Sequence, residues 1–289
     1  MELGVMKQEE VVRALGVRGE NFRAAYVLSV ILATLAAITS AVGLAYPAVY
    51  RDKSAIPMAF ANDLATLVVA VPVLVGALIL SARGSLRARL VWLGSLYYML
   101  YNYAFYVFAL QVTALYLPLI AAFTLSGFAL ALGLGNLDVE SAARKFSART
   151  PARCIAVYMV VWAAGVGRLW ISQWIKFLTT GVVPTVNGDA NGYRTIAAVD
   201  LSFMVSLLIP AAYWLWRRRP WGFVLAVMLF VQGTIYLAML AGASVASWMA
   251  APGTNLWSGW LISCMVNWPI AALCLFGLLV NIKRPELQR

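Results

Sequence analysis

The chain has no histidine, and among its 289 residues only 11 are acidic and 3 are cysteine. Without histidine it lacks the commonest general base, the commonest transition-metal ligand and the usual axial haem ligand. The cysteines make no disulfide framework, because Cys264 and Cys274 fall on one apolar run, about 15 Å apart by helical rise. There is no HExxH, no Ser/His/Asp set, no Walker A and no CxxC. Gly133-Leu134-Gly135 closes an apolar run and precedes no strand, which argues against dinucleotide binding. Nothing in the chain calls for a cofactor or a metal. Charge is scarce as a whole, at 11% of residues against about 25% in soluble domains, and 63% of residues are hydrophobic. That balance excludes a water-soluble fold.

What the chain does contain is a series of long apolar runs, near 24–46, 60–82, 90–110, 113–134, 154–175, 196–216, 221–243 and 260–282. A hydrocarbon core of about 30 Å needs about 20 helical residues to cross. A β-barrel would show short alternating segments instead of continuous runs. The expected class is therefore an all-α integral membrane protein of eight transmembrane helices.

The formal charge of +11 would suggest nucleic acid in a soluble chain, but its placement here tracks the spans. Basic residues collect on alternate connections: Lys7, Arg13, Arg18 and Arg23 before the first run, Arg83, Arg87 and Arg89 after the second, and Arg144, Lys145, Arg149 and Arg153 after the fourth. Arg217, Arg218 and Arg219 come after the sixth, and Lys283, Arg284 and Arg289 after the last. Arg51, Lys53 and Arg194 lie on the other connections, Lys176 at a span end and Arg168 within a span. The positive-inside rule then puts both termini in the cytoplasm of a multi-pass cell-membrane protein. Anionic headgroups are the partner that the basic connections imply, and nucleic acid is not. The first run is too long for a signal-peptide core and reads as a retained span. Val11, Val12 and Leu15 suit either an interfacial helix or a solvated arm.

The second and sixth runs begin alike, with Asn62-Asp63-Leu64 ahead of Pro72 and Val199-Asp200-Leu201 ahead of Pro210, and each ends in an Arg cluster. This implies two four-helix repeats of parallel topology, since an even number of spans returns the chain to the same side. The organisation is a cytoplasmic arm 1–23, a first half 24–135, a linker 136–153, a second half 154–282 and a tail 283–289. Small residues at Ala163, Ala164, Gly165 and Gly167, and at Gly127, Ala131 and Gly135, are candidate points of close helix approach.

Charges inside lipid are costly and mark functional candidates. Arg168 lies about 22 Å above the inner end of its run, Asp200 about 25 Å, Asn267 about 24 Å and Asp63 about 30 Å. An Arg168–Asp200 ion pair in this outer layer is the sharpest expectation, set against simple helix capping for Asp63 and Asp200. Tyr98, Asn102 and Tyr106 recur at i, i+4 and i+8 on one face. With Gln232 they line a cavity or bond between helices. Trp248, Trp257 and Trp260 suit an interfacial belt.

The run Arg83-Gly84-Ser85-Leu86-Arg87-Ala88-Arg89-Leu90-Val91-Trp92-Leu93-Gly94, with Tyr101-Asn102-Tyr103-Ala104-Phe105-Tyr106 after it, resembles uncharacterised prokaryotic multispanning membrane proteins. Asp200-Leu201 and Arg217-Arg218-Arg219-Pro220-Trp221-Gly222 resemble the same group. The resemblance implies a multispanning fold and carries no activity.

Three functions remain open. The first is binding or transport of a small solute through an outward-facing polar cavity between the halves, with Arg168, Asp200, Asp63, Asn102, Tyr98, Tyr106, Gln232 and Asn267 as candidate ligand-binding residues. The second is a scaffold for membrane assembly. The third is an intramembrane enzyme on a lipid-linked substrate, with Asp63 or Asp200 as acid or base.

Overall fold

The computed structural model describes residues 22–51, 56–186, 190–250 and 259–283. Expectations for the arm before Phe22 and for Trp257 lie outside them, as do the side chain of Trp260 and the residues after Lys283. The described residues form helices, α1 (Arg23–Ala45), α2 (Ile56–Ala82), α3 (Leu86–Phe108), α4 (Tyr116–Gly135), the short α5 (Val139–Arg144), α6 (Ala152–Thr180), α7 (Ala190–Trp216), α8 (Pro220–Ala250) and α9 (Gly259–Val280), and no strand. Seven of them, all but α3 and α5, are long and apolar enough to cross a membrane. The protein is thus an all-helical, multi-pass membrane protein. α3 has the length but carries Tyr97, Tyr98, Tyr101, Asn102, Tyr103 and Tyr106, all buried. A helix enclosed by neighbours meets protein instead of lipid, so it tolerates a polarity that a lipid-facing helix would not.

Neighbour relations fall into two groups of helices, α1–α4 and α6–α9. In the first, α1 packs on α2 and α4, α2 on α3, and α3 on α4. In the second, α6 packs on α7, α7 on α8 and α8 on α9, and Tyr158 of α6 donates to Asn267 Oδ1 of α9 at 3.1 Å. The two groups meet where α3 and α8 pack together, with α2 against α8 and α7 against α3. A Cβ on Gly94 would stand 2.6 Å from Val231 Cβ and 3.1 Å from Met228 Cα, so this crossing depends on a glycine. Close approaches also occur at Gly43, Gly133, Gly222 and Gly233. Of the small residues expected at close approaches, Gly127 has Leu100 Cδ1 at 3.6 Å from its Cβ position and Ala163 is buried, whereas Gly135, Gly165 and Gly167 have nothing within 4 Å. Counting small residues finds a stripe without saying which neighbour faces it.

Local chemistry shapes α2 and α7 in the same way. Both α2 and α7 widen into a π-helical segment, Thr66–Ala70 and Asp200–Val205, ahead of Pro72 and Pro210. A proline lacks the N–H that its preceding turn needs, and a widened turn relieves the clash. Both helices then end in the same turn. Gly84 has φ +88° and Arg218 φ +51°. Ser85 N–H donates to Leu80 O at 3.1 Å and Arg219 N–H to Trp214 O at 2.8 Å, each closing the last helical carbonyls. The same interval separates Ile56 from Ala190, Gly84 from Arg218 and Leu86 from Pro220.

At the basic end of the bundle, two arginines hold the chain together. The Arg87 guanidinium, from the first turn of α3, donates to Val280 O at 3.4 Å at the end of α9 and to Ile282 O at 2.5 Å just beyond it. Arg218, from the connection between α7 and α8, donates to Ala148 O and Thr150 O, both at 2.8 Å, in the linker before α6. Ser147 N–H to Asn281 O at 2.9 Å and Lys283 N–H to Lys145 O at 2.8 Å join linker and tail directly.

Candidate functional site

Asp63 and Asp200 are the only acidic groups buried among the described residues, at 2% and 5% exposure. Both were weighed as helix caps, and the structure overturns that. α2 begins at Ile56 and α7 at Ala190, earlier than hydropathy alone indicated, so each aspartate sits at least one full turn inside its helix. Their partners are therefore side chains from neighbouring elements. Asp63 Oδ2 accepts from Tyr50 Oη at 2.6 Å, and Oδ1 from Tyr106 Oη at 2.9 Å. Gly43 of α1 leaves the space for this carboxylate, because a Cβ there would collide with it. Asp200 Oδ2 accepts from Trp170 Nε1 at 2.7 Å, and Oδ1 from the Tyr101 hydroxyl.

The expected Arg168–Asp200 ion pair is not formed. Trp170 is buried and occupies the place given to Arg168, which is exposed on the opposite side of α6. Two residues along a helix turn the side chain by about 200°, and depth along the span carries no information about that rotation. Among the described residues neither aspartate has a Lys or Arg partner; their donors are hydroxyls and an indole.

A cavity of about 20 Å³ lies where α2, α3, α7 and α8 meet. Met58, Asn62, Tyr101, Asn102, Phe105, Ile196, Val199, Tyr236 and Met239 line it. The interval that relates the helix ends also relates Asn62 to Ile196, Asn102 to Tyr236 and Phe105 to Met239, while Met58, Tyr101 and Val199 have no counterpart in the lining. By that interval Asp63 corresponds to Ala197 and Asp200 to Thr66. The two aspartates, matched to each other by sequence, thus differ by about one turn in position along their helices.

The polar lining is incompletely satisfied. Asn62, 2% exposed, has no hydrogen-bond partner on Oδ1. Asn102 Nδ2 donates to Thr66 Oγ1 at 3.4 Å. One turn further along α3 and α8 lie Tyr98 and Gln232, fully buried; the Tyr98 hydroxyl and both Gln232 amide atoms lack partners. Leaving such a group unmade costs about 1–3 kcal/mol.

Of the residues singled out from sequence, Asp63, Asp200, Asn102, Tyr98, Tyr106 and Gln232 gather around this region of α2, α3, α7 and α8. Arg168 and Asn267 do not. Asn267 ties α9 to α6 through Tyr158, and its Nδ2 donates to Ser263 O at 2.8 Å. Sequence reasoning passed over Tyr50, Tyr101, Trp170 and Gly43 as site residues. Asn62 beside Asp63 was the one signal present, an amide next to a carboxylate inside an apolar run. No protein-family model, curated protein or solved structure matches the chain.

Proposed function

We propose that the protein binds a small solute, and carries it across the membrane, at the cavity where two four-helix halves meet. The observation that carries this reading is the cavity's lining: it draws on α2, α3, α7 and α8, with Asn62 and Ile196, Asn102 and Tyr236, and Phe105 and Met239 recurring at one interval, and its Tyr101 is hydrogen-bonded to the buried Asp200. Sites between parallel repeats suit alternating access, because rocking one half against the other exposes the same residues to either side. On this reading α3 is an eighth span shielded by the others, and the basic end of the bundle faces the cytoplasm. The Arg87 and Arg218 bonds then form a cytoplasmic clasp that opens and closes as the halves move.

Cysteine accessibility tests this. With Cys154, Cys264 and Cys274 replaced by alanine, Met239→Cys is exposed to membrane-impermeant methanethiosulfonates in right-side-out and inside-out vesicles. Transport predicts labelling from both sides, and one-sided labelling restricts the function to ligand binding. A cysteine that stays unlabelled from either face, although reactive in denaturant, refutes a solute site at this cavity.

A further inference from the structure

We propose that the basic end of α6 and α7 seats the phosphate of an anionic phospholipid on Arg153, Tyr213, Trp216 and Arg217. This seat is separate from the solute site and does not depend on it. Several guanidinium groups at this end are already engaged: Arg87 and Arg218 on backbone carbonyls, Arg144 on Ser141 Oγ at 2.7 Å and Arg89 over the Phe22 ring. Arg153 and Arg217 differ. Arg153, in the first turn of α6, stands over the Trp216 ring, 5.6 Å from its centroid, and Arg217 stands over the Tyr213 ring at 5.7 Å. Neither has a hydrogen-bond or ion-pair partner among the described residues. Tyr213, Trp216 and Arg217 recur at i, i+3 and i+4, so the two rings share a face at the end of α7, and both are exposed, at 59% and 47%. A guanidinium resting on a ring still offers its forked donors to phosphate oxygens and has less side-chain freedom left to lose.

The surface that continues from the seat favours a lipid over a free phosphate. Val157 and Val160 lie one and two turns further along α6 on the side of Arg153, and Ile209 lies one turn before Tyr213 on α7; all three are exposed. An apolar strip for acyl chains thus runs from the arginines into the spans, along two helices that pack on one another. Tyr and Trp beside it suit the headgroup level of a bilayer. Charge complementarity sets the sign of the headgroup. Asp138 and Glu140, the acidic residues described at this end, belong to α5, which packs on α8. A lipid with net negative charge satisfies the two guanidinium groups, whereas a zwitterionic one brings a further cation to them. The seat adjoins the bonds from Arg218 to Ala148 O and Thr150 O, so a lipid held by both Arg153 and Arg217 braces the linker against α7.

The test titrates the purified full chain in a neutral detergent with phosphatidylglycerol, phosphatidylcholine or glycerol 3-phosphate and counts bound molecules by native mass spectrometry. Samples are equilibrated at about 0.15 M salt, where diffuse charge is screened. Phosphatidylglycerol is expected to bind at least about tenfold more tightly than phosphatidylcholine. Arg153→Gln with Arg217→Gln is expected to reduce that preference to about twofold or less. Arg83→Gln with Lys283→Gln removes the same charge from exposed positions elsewhere at this end and is expected to leave the preference intact. Trp216→Leu, which keeps every charge, is expected to weaken phosphatidylglycerol by at least about twofold. Should the double glutamine variant fold poorly, Arg153→Lys with Arg217→Lys gives a second reading, because it keeps the charge and loses the planar forks; phosphatidylglycerol is expected to bind it at least about threefold more weakly. Three results overturn the seat: an equal loss in the charge-matched control, equal binding of phosphatidylcholine, or wild-type affinity in the lysine variant. Displacement of phosphatidylglycerol by glycerol 3-phosphate at equal concentration overturns the lipid as occupant and leaves a site for a soluble phosphate.

Discussion

Substituting Gly43 by alanine should destabilise the protein, although the substitution is ordinarily favourable. Within a helix, alanine is better than glycine by about 1 kcal/mol, so a view confined to α1 predicts stabilisation. In the structure the new Cβ would meet the Asp63 carboxylate, and would lie 2.5 Å from Tyr50 Oη and 2.9 Å from Asp63 Cγ. The carboxylate must then move, and the 2.6 Å bond from Tyr50 cannot survive the movement. Overpacking of this kind costs about 1–3 kcal/mol, and losing a hydrogen bond to a charged group costs about 1.5–3 kcal/mol. After the helical gain is subtracted, a net loss of about 1.5–5 kcal/mol is expected. Gly165 is the control, since nothing lies within 4 Å of its Cβ position, and Gly165→Ala should gain up to about 1 kcal/mol. Melts of the two variants in detergent, monitored by tryptophan fluorescence, should therefore shift in opposite directions. Combining Gly43→Ala with Tyr50→Phe should cost less than the two losses added, since both break one bond. If Gly43→Ala melts as high as Gly165→Ala, the packing of Asp63 against α1 is wrong.

Arg168→Leu and Asp200→Asn should have effects on melting that add to within about 0.5 kcal/mol, since Asp200 is held by Tyr101 and Trp170 instead; a double variant more stable than that sum would restore the ion pair. Trp170→Phe and Asp200→Asn should by contrast be non-additive by at least about 0.5 kcal/mol in the same melts. Arg218→Ala should cost about 1–3 kcal/mol through loss of its two carbonyl bonds, whereas Arg218→Gly should cost about 1 kcal/mol less because φ +51° suits glycine; equal melting temperatures would show that the turn is unstrained. At the N-terminus of α5, Asp138 Oδ1 accepts from Ser141 N–H at 3.0 Å, which holds its carboxyl below the usual carboxylate range. A depressed value means that the cap stabilises at neutral pH and is lost as pH falls through the folded-state value, so proteolysis near Arg144 should increase below about pH 4. Asp138→Asn should flatten that dependence.

How much of this was legible beforehand differs from residue to residue. The apolar runs located the spanning helices, and the similarity around Asp63 and Asp200 pointed to the helices that share a π-helical segment, a proline and a closing turn. The Tyr98, Asn102 and Tyr106 series marked α3, whose own hydropathy falls short of the other helices because it is enclosed by them. The helix starts were missed by several residues: 56–59 and 190–195 are less apolar than the later turns of the same helices, and lipid exposure is not needed for helix formation where neighbouring helices supply the packing. That error made two mid-helix aspartates look like caps. Arg168 drew attention because a guanidinium inside an apolar run is conspicuous, whereas Trp170, the actual partner of Asp200, is unremarkable in such a run. Gly43 gave no local signal, because its importance comes entirely from a side chain on another helix.

The sequence by itself determined the environment, the helical class, the approximate limits of the spans and the alternation of basic connections. These are properties of the chain read along one dimension: a bilayer demands internally bonded backbone over a set length, and each residue's polarity is its own. The tertiary structure decided which face of each helix turns inward, that Trp170 and not Arg168 meets Asp200, and that Asn62, Tyr101, Asn102 and Tyr236 converge on one cavity. Those outcomes depend on rotation about each helix axis and on close approaches at Gly43 and Gly94, and both are set only when all the helices pack together.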